Sequence, residues 1–113
     1  MKINHVTLLV KDKQEAERFY TLILGFEKKE DEGRLWIRIG DQYIHITENS
    51  GAPVADTFYH FAIEMDDVPA YAEMLREKGV GVFDVPENPL QKFVRDVDGN
   101  LIEFIDSNDK FFK

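Results

Sequence analysis

Residues 4–10 read NHVTLLV, and residues 59–65 read YHFAIEM. These two stretches decide the fold. Each has the two-residue alternation of a strand, and each carries a histidine at its entrance, His5 and His60. In the first, Val6, Leu8 and Val10 share one face, and His5, Thr7 and Leu9 share the other. In the second, Phe61, Ile63 and Met65 oppose His60 and Ala62. Each stretch leads into a helix pattern. Asp12 stands at a helix N-cap position with Glu15 three residues on, a capping-box pattern. Ala16, Phe19, Tyr20, Ile23 and Leu24 then recur at helical spacing up to Gly25, a natural stop. After the second stretch, Asp66 or Asp67 caps a helix with a buried stripe of Val68, Tyr71, Ala72 and Leu75, ended by Gly79.

Three short strands come after each helix: 26–31, 34–39 and 42–47, then 80–84, 91–96 and 100–106, with turns at Gly33, Gly40-Asp41 and Asp98-Gly99. His5 and His60 are 55 residues apart, as are Asp12 and Asp67, while Gly25 and Gly79 are 54 apart. The chain therefore reads as a βαβββ unit written twice. Module one covers 1–48, a linker 49–57, module two 58–108 and a short tail 109–113, all within one domain. The fold class is α+β. One helix covers only one face of a four-stranded sheet. The expectation is an open, cup-shaped mixed sheet with the helices outside and a concave face for ligands.

The bulk properties narrow the function. A chain of 113 residues, 43 % hydrophobic and 32 % charged, suits one globular domain. There is no cysteine, which excludes disulfides, thiolate metal sites and cysteine nucleophiles. A formal net charge of −8 repels phosphate backbones, so no nucleic-acid partner is expected. No apolar run approaches the roughly 20 residues a membrane helix needs. No signal-like segment opens the chain, and the simplest location is the cytoplasm.

The polar side chains of the two sheets share a pattern. If the more apolar set of each strand faces its helix, the cup face receives His5 and Thr7, then Tyr43, His45 and Thr47, then His60, then Glu103. A lone strand histidine is ordinarily a core or surface residue. Three histidines and a carboxylate, on the first and last strands of both modules, form a coherent donor set for a divalent ion. Trp36 and Phe93 are candidate pocket walls, and Arg38 and Arg95 isolated candidates for gripping an anion. The segment DVPENPL (84–90) reads as a connector, with a lid as the alternative.

The segments INHVTLLVKD, FYTLILGFE, YHFAIEMDDVPAYAEMLREKGV and VRDVDGNLIEFID resemble the vicinal oxygen chelate superfamily, also called the glyoxalase/bleomycin-resistance/dioxygenase superfamily. The resemblance covers nearly the whole chain. It implies paired βαβββ modules around a metal-holding cup, with ligands at the positions of His5, His45, His60 and Glu103. It implies a divalent ion (Zn, Ni, Mn, Co or Fe(II)), a small-molecule substrate chelated through adjacent oxygens, and a homodimer. Phe111 and Phe112, in an otherwise polar tail, are candidates for docking on the partner. Two positions depart from the family pattern. Val97 replaces the usual proline of the aspartate-x-aspartate-glycine turn, and His45 stands where glyoxalase I enzymes usually place a glutamate. Fosfomycin-inactivating thiol transferases use three ligands, matching His5, His60 and Glu103, and a threonine matching Thr7.

The implied chemistry is a lyase, isomerase or thiol-transfer reaction. Glu103 is expected to move a proton, with Tyr43, Thr7 and Thr47 as hydrogen-bond donors. Two other readings compete: a metal-free module binding a small molecule or antibiotic, and an Fe(II) extradiol-type dioxygenase.

Overall fold

The computed structural model describes residues 1–112. The chain forms two compact units, one made of Met1–Ala55 with Asp96–Asn100, the other of Asp56–Arg95 with the segment from Leu101 onward.

In the first unit, β1 (His5–Val10) leads into α1 (Lys13–Arg18), followed by β2 (Glu27–Asp31), β3 (Arg34–Ile39) and β4 (Gln42–Glu48). Asp12 caps α1 by accepting hydrogen bonds from the Gln14 and Glu15 backbone N–H groups. The periodicity predicts one helix up to Gly25, but α1 widens into a π-helical turn over Phe19–Ile23. That turn buries Phe19 and Tyr20 before Gly25, at φ +82°, ends the segment. Glu32 and Gly33, both at positive φ, form the two-residue turn between β2 and β3. Strand order is β1-β4-β3-β2, with β1 parallel to β4 and the other pairs antiparallel. Val10, Leu35, Ile37, Ile44 and Ile46 form the buried sheet face under Ala16, Phe19, Tyr20 and Leu24.

The second unit repeats the order: β5 (His60–Met65), α2 (Val68–Glu77), β6 (Val82–Val85), β7 (Asn88–Arg95) and β8 (Leu101–Asp106), then a 3-10 turn over Lys110–Phe112. Its strand order, β5-β8-β7-β6 with β5 parallel to β8, is that of the first unit. Both sheets are open and mixed, and the class is α+β. Asp67 takes the N-cap, at φ 55°, and accepts a hydrogen bond from the Ala70 backbone. The Asp106 carboxylate accepts one from the Val68 N–H at the first helical position. Val68, Ala72 and Leu75 pack against β7 and β8, beside Val94 and Phe104. Segment 84–90 connects β6 and β7, but it is not an irregular loop. It is a hairpin in which Val85 pairs with Asn88 across a two-residue turn, so both of its flanks are held in the sheet.

The turn Asp96–Asn100 groups with the first unit. Buried Asp96 accepts from the Tyr20 hydroxyl at 2.7 Å and from the Asp98 and Asn100 backbones at 2.9 Å. The Asp98 carboxylate accepts from the Lys11 N–H. Gly99 lies at φ +85°, where an added Cβ would sit 2.1 Å from the Ala55 carbonyl oxygen.

Candidate functional site

On the first unit's open face, strand register aligns side chains in rows. Lys29, Trp36, His45 and Thr7 form one row, and Arg38, Tyr43 and His5 the next. The rows bring three rings into a stack. The His45 ring lies 4.2 Å from Trp36, with 6° between planes, and 3.8 Å from His5, at 14°. Lys29 places its ammonium 4.9 Å from the Trp36 centroid and 5.0 Å from that of Tyr43, within cation–π range. A cleft of about 400 Å³ is lined by Thr7, Trp36, His45 and Thr47, with Lys13 and Glu48.

The stack has a chemical consequence. Imidazole lone pairs lie in the ring plane. Two nearly parallel rings 3.8 Å apart aim their lone pairs side by side and not at a common point. As stacked, His5 and His45 do not chelate one ion together. His45, enclosed between two rings, is the more committed of the two to stacking. His5 has its Nδ1 2.8 Å from the Asn4 side-chain oxygen. An amide oxygen only accepts, so Nδ1 donates there.

The second unit holds a tighter arrangement. His60 Nδ1 lies 2.7 Å from the Phe58 carbonyl oxygen, and His60 Nε2 lies 2.9 Å from Glu103 Oε1. A backbone carbonyl only accepts, so Nδ1 carries the proton. In the neutral ring Nε2 then turns a lone pair toward a carboxylate oxygen. Two acceptors at 2.9 Å need a proton or a cation between them. Glu103 is only 5 % exposed, so water does not relieve the conflict cheaply. Its other oxygen, Oε2, accepts from Gln91 Nε2 at 2.7 Å. Phe58 and Phe93 meet the His60 ring edge-on, at centroid distances of 4.8 and 5.3 Å.

Of the other candidate residues, Arg38 donates Nε to the Gly40 carbonyl, and Arg95 donates Nη2 to the Thr57 carbonyl. Each thus engages backbone within its own unit. Thr7 and Thr47 are exposed, and Tyr43 is half-buried beside Trp36. Among the described residues, no group of three or more His, Asp or Glu side chains is placed to hold a metal ion. Sequence reasoning missed Gln91 and Phe58. Gln91 shares the strand parity of Phe93 and Arg95, and that parity was the available signal. Phe58 lies ahead of β5, outside any periodic pattern.

The family model for the Glyoxalase/Bleomycin resistance protein/Dioxygenase superfamily matches residues 2–104. The chain belongs to this superfamily. Solved structures agree with the fold. A glyoxalase family protein from Bacillus anthracis is 26 % identical, with 94 % of each chain covered and a TM-score of 0.80. TnmS3, an antibiotic binding protein from Streptomyces sp. CB03234, is 23 % identical, with 94 % of this chain and 95 % of that one covered and a TM-score of 0.78. FosX, a fosfomycin resistance protein from Listeria monocytogenes, is 22 % identical, with 97 % and 96 % covered and a TM-score of 0.78. A comparison with curated protein sequences found no match. No helix among the described residues is long and apolar enough to cross a membrane.

Proposed function

We propose that this superfamily member is a divalent-metal-dependent enzyme of the glyoxalase-like type, acting on a small substrate that presents two adjacent oxygens. The reaction class is a lyase or isomerase step, or transfer of a thiol. The observation that carries this reading is the His60–Glu103 pair. His60 Nε2 lies 2.9 Å from a carboxylate oxygen, and Nδ1 is already committed to a carbonyl. A metal-ligating histidine characteristically gives its second N–H to a backbone carbonyl or carboxylate. His5 has the same polarity, with Nδ1 on an amide oxygen.

His5, His60 and Glu103 would hold the ion as a set of two nitrogens and one oxygen, chemistry that suits Zn, Ni, Mn, Co or Fe(II). When bound, the ion supplies Lewis-acid polarisation of substrate oxygens. The chain's own groups do the rest. Glu103 moves a proton of the substrate, with its Oε2 held by Gln91. Thr7, Thr47 and Tyr43 offer hydroxyl donors, and Trp36 and Phe93 give apolar walls that exclude water. Arg38 and Arg95 keep further guanidinium N–H groups beyond their carbonyl bonds with which to grip an anion. The His45 stack favours three ligands over four.

The test is the metal content of protein purified without a histidine tag, with thermal shifts on adding each ion. Stoichiometric metal lost in His60→Ala and Glu103→Ala supports the reading. No metal and no shift with any of the five ions overturns it.

A second reading, a metal-free module that binds a small molecule, draws on a different observation: the Trp36–His45–His5 stack beside the 400 Å³ cleft. Rings presented in this way suit planar ligands. Binding of a planar aromatic compound by metal-free protein, read as quenching of Trp36, supports it. Oxygen consumption with catechols and Fe(II) would instead favour a dioxygenase. The proposal includes a homodimer, with Phe111 (82 % exposed) in the contact. Light scattering giving a monomer mass at micromolar concentration rejects that part.

A further inference from the structure

Glu103 is the terminus of a hydrogen-bonded chain that runs through the second unit. The Leu90 backbone N–H donates to Asn88 Oδ1 at 3.1 Å. Asn88 Nδ2 donates to Asp109 Oδ2 at 3.0 Å and to Gln91 Oε1 at 3.1 Å. Gln91 Nε2 donates to Glu103 Oε2 at 2.7 Å. The Phe111 N–H donates to Asp109 Oδ1, fixing the far end. Asp109 and Glu103 are both buried, at 5 % exposure.

The direction of this chain is not arbitrary. An amide side chain can flip, exchanging its oxygen and nitrogen. Leu90 can only donate, so it holds Asn88 Oδ1 and turns Nδ2 outward. The Asp109 carboxylate only accepts and enforces the same choice. With Asn88 Nδ2 facing it, Gln91 must present Oε1 there, which points its Nε2 at Glu103. Two groups of fixed polarity thus set every amide between them.

We infer that Gln91 is a positioning residue, oriented by Asn88 and Asp109, that occupies one oxygen of Glu103 and leaves Oε1 alone facing His60 Nε2. The inference rests on the reading of Glu103 as a ligand. It makes Glu103 a one-oxygen donor of set direction. A carboxylate free to rotate would offer either oxygen, or both, and would spend orientational freedom on binding. Groups behind metal ligands commonly set affinity in this manner. The relay also ties the site to the C-terminal 3-10 turn, because Asp109 is both a relay member and the cap of Phe111.

The test uses the full-length, untagged chain. Co(II) is the probe, since its visible spectrum reports ligand geometry. Gln91→Leu removes the donor and Gln91→Glu keeps the size. Asn88→Asp retains the Leu90 contact but repels Gln91 Oε1, and so favours the flipped amide. Circular dichroism normalises each variant to its folded fraction. The expected result is Co(II) affinity about 10–100-fold weaker in all three, with an altered visible spectrum. Wild-type affinity, within threefold, and an unchanged spectrum in folded Gln91→Leu overturn the inference. A second readout needs no metal. In the wild-type chain the Gln91 side-chain amide gives one downfield-shifted proton resonance, lost in Glu103→Ala. If that resonance is ordinary in wild-type protein, the relay itself is overturned. If the resonance is present but wild-type protein binds no Co(II), the metal reading fails and the positioning role fails with it.

Discussion

At the scale of single residues, polarity decides more than proximity. His45 lies beside His5, yet the nearly parallel rings divide their lone pairs. Under the proposed function, His45→Ala is therefore expected to leave metal affinity within about threefold of wild type. It should brighten the emission of Trp36, the only tryptophan, by removing a stacked neighbour. Fluorescence and Co(II) titration of the same sample check both, and a large loss of affinity would restore His45 as a ligand. Tyr20 shows a different use of polarity. Burial, then the neighbouring Asp96 charge and hydrogen bond, push its hydroxyl well above the ordinary tyrosine range. Burial raises Tyr71 as well. A raised tyrosine keeps its proton in the fold and releases it near pH 10 when unfolded. The stability it contributes is whole below that pH and declines as pH rises beyond it. Urea midpoints between pH 8 and 11 should fall in wild type and fall less in Tyr71→Phe. Tyr20→Phe also removes a donor from buried Asp96 and should cost about 1–3 kcal/mol at neutral pH.

At the scale of elements, two devices hold the repeated unit in register. One is Asp106, at the end of β8, which joins the strand to α2 through the Val68 N–H. Hydrogen bonds from the Asn108 and Val68 backbones hold its carboxyl below the usual range. A depressed carboxylate adds stability that is present above the unfolded value, near pH 4, and lost as pH falls through the folded one. Asp106→Asn should lower the melting temperature at pH 7 and flatten its decline below pH 4, as read by circular dichroism. The other device is the turn Asp96–Asn100. Gly99→Ala meets a carbonyl at 2.1 Å and a positive φ together. The backbone conformation alone costs about 1–2 kcal/mol, and the collision adds to it. Chemical denaturation should show a loss above that range, and a neutral result would mean that the turn shifts freely.

At the scale of the whole molecule, the duplicated plan gives each unit the same strand order and a helix of its own. Under the proposed function, a bound ion stabilises the folded chain by mass action. At a free concentration 100 times the dissociation constant this amounts to about 2.7 kcal/mol, a rise of roughly 10–20 °C in melting temperature for a domain of this size. Ethylenediaminetetraacetate should reverse it. A rise persisting in Glu103→Ala would place the ion elsewhere.

Much of this was legible in the linear sequence. Strand alternation around His5 and His60, the caps Asp12 and Asp67, and a 55-residue repeat specify two βαβββ units. These signals are local: side-chain period, capping chemistry and turn residues act within a few positions of one another. The parity of each strand also told which side chains oppose the helix, because a two-residue period leaves only two faces. What the linear order did not contain is how groups meet across strands. The π-helical turn, the hairpin at 84–90, the Trp36–His45–His5 stack and the relay from Asn88 to Glu103 all depend on register and side-chain direction. Residues 91 and 103 become partners only because β7 pairs with β8 in one alignment. A sequence sets which donors exist and which face they share, whereas only the packed chain sets where each lone pair points.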